Sequence, residues 1–182
     1  MDSSGSINRN YDRQLDFAAN LTQNFDLGPD DVRFGGVIFS DTAEKLFDLK
    51  DYSDHENLSQ AIKKAKYMGK MTSTDLALTM VAHGMFEKVN GGRDNARKIV
   101  IVMTDGESTF RDKTKTAADK LKKQGVTIIS IGIADAKEQE LKDIASGPDD
   151  VFQVAGFSAL DRIANTVADR TCHDSTPSRP TV

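Results

Sequence analysis

The chain has 182 residues, enough for one domain that buries a sizeable core without disulfide or metal staples. Hydrophobic residues make up 38% and charged residues 29%, which excludes a disordered or fibrous chain, and no apolar run approaches the roughly 18 residues of a membrane span. The formal charge of −4 argues against a nucleic-acid partner; the lysine-rich stretch 113–123, flanked by Asp112 and interrupted by Asp119, reads as a solvated helix face.

In chain order, Tyr11, Leu15, Ala18, Leu21 and Phe25 recur at helical spacing until Gly28-Pro29 stops them. Residues 32–39, rich in β-branched and aromatic side chains, predict a strand that Ser40-Asp41 turns back into a second strand over 43–49. Leu58, Ile62 and Ala65 mark a helix. Another is expected over 74–89, closed by Asn90-Gly91-Gly92. The run Ile99-Val100-Ile101-Val102-Met103 suits a strand buried on both faces. After it come a helix over 113–124, a strand over 126–133, a short helix over 138–145, a short strand over 151–154 and a last helix over 160–168. The Ser/Thr/Pro-rich residues 172–182 read as a disordered tail behind a domain of residues 1–171. Alternating strands and helices predict an α/β fold, a doubly wound, mostly parallel sheet with one antiparallel edge strand and helices on both faces. Such sheets bind ligands at the carboxyl ends of their strands.

Three oxygen-rich segments fall at such ends. The chain opens Asp2-Ser3-Ser4-Gly5-Ser6 before the first helix, Met71-Thr72-Ser73-Thr74-Asp75 precedes the third, and Thr104-Asp105-Gly106-Glu107 follows the most apolar strand. Each has an ordinary reading: a flexible start, a helix cap at Thr72 with Asp75 completing a capping-box-like turn, and a turn after a strand. Together Asp2, Ser4, Ser6, Thr72 and Asp105 offer two carboxylates and three hydroxyls. That donor set suits a hard divalent cation, which prefers oxygen and keeps room for one more ligand.

Asp2-x-Ser4-x-Ser6, then Thr72, then Asp105-Gly106 resembles the metal-ion-dependent adhesion site of von Willebrand factor type A domains. Residues 34–41, 98–106, 129–133, 140–146 and 151–160 are similar to the corresponding strands and helices of that family, in its matrilin-like and collagen-associated branch. The resemblance implies a non-enzymatic adhesion module. Ser4, Ser6 and Thr72 would reach the cation through hydroxyls, and Asp2 and Asp105 directly or through water. A Glu or Asp of a protein partner would complete the shell, and extracellular matrix proteins are plausible partners. Mg²⁺ is the favoured ion, with Mn²⁺ and Ca²⁺ open. Binding would couple to movement of the last helix. The family carries a hydrophobic strand immediately before this loop, where only Met1 stands here. The expectation is therefore an N-terminally truncated domain whose neighbouring strands lack a hydrogen-bonding partner.

An extracellular, secreted setting follows from the same resemblance, and two sequons lean the same way: Asn20-Leu21-Thr22 and Asn57-Leu58-Ser59 are possible glycosylation sites. Cys172 is the one cysteine. The resemblance implies half of a disulfide whose partner would precede the missing strand. An intracellular scaffold domain of the same fold is the alternative. A phosphate-transferring hydrolase ranks lower, because Ser4 stands where such enzymes place a second Asp. His55, His83 and His173 form no triad with Ser or Cys172, and His83 reads as a half-buried packing residue.

Overall fold

The computed structural model describes residues 1–173. Its centre is a parallel sheet in the order β3–β4–β5, with β3 Lys98–Thr104, β4 Val126–Ile133 and β5 Val151–Val154. Lys98 pairs with Val126 at one end and Thr104 with Gly132 at the other, so both strands finish at the same edge. β4 alternates its allegiance, as strand geometry requires. Ile129, Ile131 and Ile133 pack with Phe17 and Leu21 of α1 (Tyr11–Thr22) and Val167 of α6 (Ala164–His173). Val126 and Ile128 pack with Leu78 of α3 (Thr74–Met80), Leu121 of α4 (Arg111–Lys123) and Ile144 of α5 (Glu138–Ile144). Burying an Ile in such a layer stabilises the fold by about 1.5–3 kcal/mol. The one hydroxyl in the middle of β4 is satisfied, since Ser130 donates to the Leu141 carbonyl at 2.9 Å.

A second, antiparallel pair joins β1 (Gly36–Phe39) to β2 (Ala43–Phe47). The expected doubly wound α/β fold with an antiparallel edge strand is what forms. α2 (His55–Lys63) packs over this pair, started by Asp54, whose carboxylate accepts from the Asn57 amide at 2.9 Å.

Between the two half-sheets runs a seam of three residues, Met1 to Ser3. The Met1 nitrogen donates to the Val37 carbonyl at 2.9 Å, the Phe39 amide to Met1 at 3.1 Å, and the Ser3 amide to Phe39 at 2.7 Å. On the other side the Asp2 amide donates to the Met103 carbonyl at 3.0 Å. Away from Met1 the half-sheets part around an apolar cleft of about 490 Å³ lined by Phe34, Val37, Phe39, Ile99 and Ile101 among others. Met1, Asp2 and Ser3 join β1 to β3 at the carboxyl end of the two strands.

Four local expectations are corrected. The strand over 32–39 shortens to Gly36–Phe39, because the preceding residues make only an isolated bridge between Leu27 and Val32. The helix over 74–89 keeps its α form only to Met80, then widens into a π segment that breaks at Gly84; apolar periodicity continues through Val81, Met85 and Phe86 but glycine does not hold the helix. The last helix begins as 3-10 turns over Phe157–Ile163 and becomes α-helical at Ala164. His83 is exposed, not half-buried, with Nε2 at 2.7 Å from Lys120 Nζ. Gly91, at φ 93°, earns its place sterically: a Cβ there would lie 2.6 Å from the Lys50 nitrogen. Of the tail expected over 172–182, Cys172 and His173 are the end of α6, and residues 174–182 lie outside the described residues.

Candidate metal site

Asp2 sits where the seam ends, wholly buried, and both of its carboxylate oxygens are engaged. Oδ1 accepts from the Ser4 amide at 2.8 Å and Oδ2 from the Thr104 hydroxyl at 2.6 Å. Thr104 in turn accepts from the Gly106 amide at 3.3 Å, so Asp2 fixes both its own loop and the turn after β3. Gln14 of α1 donates to the Asp2 carbonyl at 2.7 Å and anchors the seam from the helix side.

From there the donors form an arc. Ser4 Oγ and Ser6 Oγ lie 3.1 Å apart, and Ser6 Oγ donates to Asp105 Oδ1 at 2.5 Å. Hydrogen bonding thus gathers Asp2, Ser4, Ser6 and Asp105, residues drawn from sequence positions about a hundred apart.

Thr72 is not bonded directly to that arc. It is carried by backbone: the Ser73 amide donates to the Ser40 carbonyl at 2.7 Å, the Gly5 amide to the Lys70 carbonyl at 2.8 Å, and the Thr109 amide to the Thr72 carbonyl at 2.8 Å. The predicted cap is absent. Ser73 occupies the N-cap position without a side-chain bond, and the Thr72 hydroxyl has no hydrogen-bond partner among the described residues.

The electrostatics point to a cation. Burial, and secondarily the Asp2 charge, push the Asp105 carboxyl above the usual carboxylate range against the opposing hydrogen bond from Ser6. A positive ion would relieve both effects. Among the described residues no cluster of three or more His, Cys, Asp or Glu side chains could hold a metal. The five candidate side chains offer oxygen alone, two carboxylates and three hydroxyls, a set that suits a hard ion.

Sequence reasoning assigned no role to Glu140, which the structure makes a keystone. This α5 carboxylate is 4% exposed and accepts the Ser108 amide on both oxygens, at 3.1 and 3.0 Å, together with the Ser108 hydroxyl. Ser108 Oγ also lies 2.7 Å from Thr74 Oγ1. Through Ser108 and its neighbour Thr109, Glu140 sets the loop after Asp105 against Thr72. A signal did exist, since Glu140 and the core residue Ile144 are four apart on one helix, an acid on an apolar face. Glu140→Gln replaces one acceptor oxygen by a donor facing the Ser108 amide. Calorimetry should show Mg²⁺ binding weakened roughly 10-fold, the scale on which groups supporting a metal site act. Thermal denaturation should show a loss of about 1–3 kcal/mol. Unchanged affinity would remove Glu140 from the site.

Asn20 and Asn57 are both exposed and both helical; the Asn57 side-chain amide donates to Asp54 at 2.8 Å. Cys172, near the end of α6, is exposed and in no disulfide among the described residues.

Three comparisons bear on this arrangement. The family model for the von Willebrand factor type A domain matches residues 1–166. The collagen alpha-6(VI) chain of Homo sapiens is 35% identical over 94% of this chain, and matrilin-2 of Mus musculus 29% identical over 94%. Proximal thread matrix protein 1 from the mussel byssus, solved with zinc occupying its MIDAS motif, superposes with a TM-score of 0.88 at 31% identity over 94% of this chain. The chain spans only 8% of that collagen chain, 18% of matrilin-2 and 46% of the mussel chain.

Proposed function

Because this chain belongs to the von Willebrand factor type A family, we propose that it is a metal-dependent adhesion module, not an enzyme, which binds a protein partner through a divalent cation at the carboxyl edge of its sheet. The observation that supports this reading is the Ser4–Ser6–Asp105 arc, to which backbone bonds from Gly5 to Lys70 and from Thr109 to Thr72 tie the Thr72 segment. A bound cation would supply a Lewis-acidic position for a carboxylate from the partner. Ser4, Ser6 and Thr72 would hold it through hydroxyl oxygens. Asp105 contributes charge directly or through water; Asp2, with both oxygens already engaged, acts through water and by orienting the loop. Mg²⁺ fits a small, hydroxyl-rich, all-oxygen site best. The mussel relative held zinc, so Zn²⁺ and Mn²⁺ belong in the same titration.

The setting proposed is extracellular, supported by the collagen and matrilin relatives. Matrix proteins are then natural partners, Asn20 and Asn57 accessible glycan acceptors, and Cys172 the half of a disulfide. No helix among the described residues is long and apolar enough to cross a membrane.

Titrating Mg²⁺ into the chain by calorimetry should give saturable binding of about one ion, reversed by EDTA. At a hundredfold excess over Kd, ligand linkage adds about 2.7 kcal/mol to stability. That corresponds to a melting temperature raised by roughly 5–10 °C for a chain of this size. A folded chain that ignores Mg²⁺, Mn²⁺ and Zn²⁺ alike would sink the reading.

A further inference from the structure

Five large hydrophobic side chains are exposed among the described residues: Tyr67, Met71, Leu76, Val89 and Phe110. Singly, such residues need no explanation. Their placement does, because three of them are tied to the donor loops. The Tyr67 hydroxyl donates to the Gly5 carbonyl at 3.3 Å, between Ser4 and Ser6. Met71, 54% exposed, immediately precedes Thr72. Phe110 immediately follows Thr109, which is joined to Thr72 in both directions: its amide donates to the Thr72 carbonyl at 2.8 Å, and its hydroxyl accepts from the Thr72 amide at 3.3 Å. Beside Phe110 lies a shallow depression lined by residues 107–113, with Lys113 Nζ 4.5 Å from the centre of the Phe110 ring.

Resting on the metal reading above, we propose that this apolar collar selects the partner: the acidic residue it takes is flanked on both sides by bulky apolar side chains. Water around Met71 and Phe110 is released only if apolar groups cover them, and aromatic and large aliphatic anchors are what concentrate binding energy in a small interface. Tyr67 and Met71 stand on one segment, bonded to the 2–6 loop through Gly5, whereas Phe110 stands on the loop after Asp105. Coverage of both needs apolar groups on either side of the carboxylate, as successive side chains of a polypeptide provide and the single tail of a fatty acid does not. The occupant is thus a protein segment. The rim carries both signs of charge, Lys113 and Arg111 beside Glu107 and Asp112, so the selectivity rests on the apolar groups.

The test uses blocked peptides with a fixed central Glu and randomised neighbours, offered to the immobilised full chain in Mg²⁺ and recovered with EDTA. The expected pool is enriched about tenfold in Phe, Tyr, Leu or Met over Ser, Asn and Lys at the flanking positions, the scale of one well-buried apolar side chain. Met71→Ser with Phe110→Ser should erase that bias while the central Glu is still selected; Val89→Ser, away from the donor loops, should leave it intact. An EDTA-released pool with unbiased flanks overturns the proposal, as does a bias that survives the double substitution. No released peptide at all overturns it too, and the calorimetric Mg²⁺ titration then tells whether the metal reading falls with it or stands without it.

Discussion

Asp105→Asn should abolish saturable Mg²⁺ binding and at the same time leave the metal-free chain at least as stable as the parent. The two halves of this expectation have one cause. Burial and the nearby Asp2 charge hold the Asp105 carboxyl above its ordinary range, so its ionised form costs the native state free energy. Because the folded value lies above the unfolded one, stability in the parent is lost as pH rises from the unfolded value through the raised one. Asn carries no charge, yet its oxygen can still accept from Ser6, which lies 2.5 Å from Asp105 Oδ1. The variant's advantage in EDTA should therefore vanish in acid and grow as pH climbs past the carboxylate range. Its Mg²⁺ affinity should fall by more than the roughly 10–100-fold typical of removing a supporting group. Melting curves in EDTA across pH, beside calorimetry with Mg²⁺, read both. A variant that still binds, or one that melts below the parent at neutral pH, contradicts the assignment. A residue whose removal stabilises the fold while destroying binding is held for function.

Asp2→Ala should behave in the opposite way and fail on both counts. Asp2 is wholly buried, and its oxygens satisfy the Ser4 amide at 2.8 Å and the Thr104 hydroxyl at 2.6 Å. Alanine leaves the Ser4 amide buried without a partner, at about 1–3 kcal/mol, and leaves the Thr104 hydroxyl only its longer bond to the Gly106 carbonyl at 3.3 Å. For a chain of this size that lowers the melting temperature by up to roughly 10 °C. Asp2→Asn, which retains one acceptor, should fall in between. Chemical denaturation separates the three proteins, and an Asp2→Ala chain as stable as the parent would show that the seam does not depend on this carboxylate.

What the residues disclosed beforehand follows from how local each signal is. Asp2, Ser4 and Ser6 share five residues, and Asp105 directly follows an unbroken apolar strand, so chemistry and position could be read together. The β3–β4–β5 core was legible because Ile99 through Met103 and the isoleucines of β4 permit little else. Thr72 was a different matter: its own neighbourhood suggested a cap, and only its resemblance to a known site, followed by its unpartnered hydroxyl, argues otherwise. The Glu140 contact spans 32 residues and depends on where α5 docks, which no periodicity encodes. The break at Gly84 stayed hidden because Val81, Met85 and Phe86 kept up the apolar rhythm that predicts a continuous helix.

The seam gives the donor loops an unusual place in the path of force. Thr72 hangs from the β1 side through Ser40, Asp105 extends β3, and Ser4 and Ser6 continue the stitch of Met1 to Ser3 between them. Traction applied at this edge is thus shared between two half-sheets rather than concentrated in a flexible loop. Where it passes into β3 and β4 it runs along parallel strands, loading seven registered pairs from Lys98–Val126 to Thr104–Gly132 in shear. At the seam it meets only the few bonds that Met1, Asp2 and Ser3 make to Val37, Phe39 and Met103. A pull on the donor loops is therefore borne through both half-sheets, and on the β3 side by the whole β3–β4 ladder.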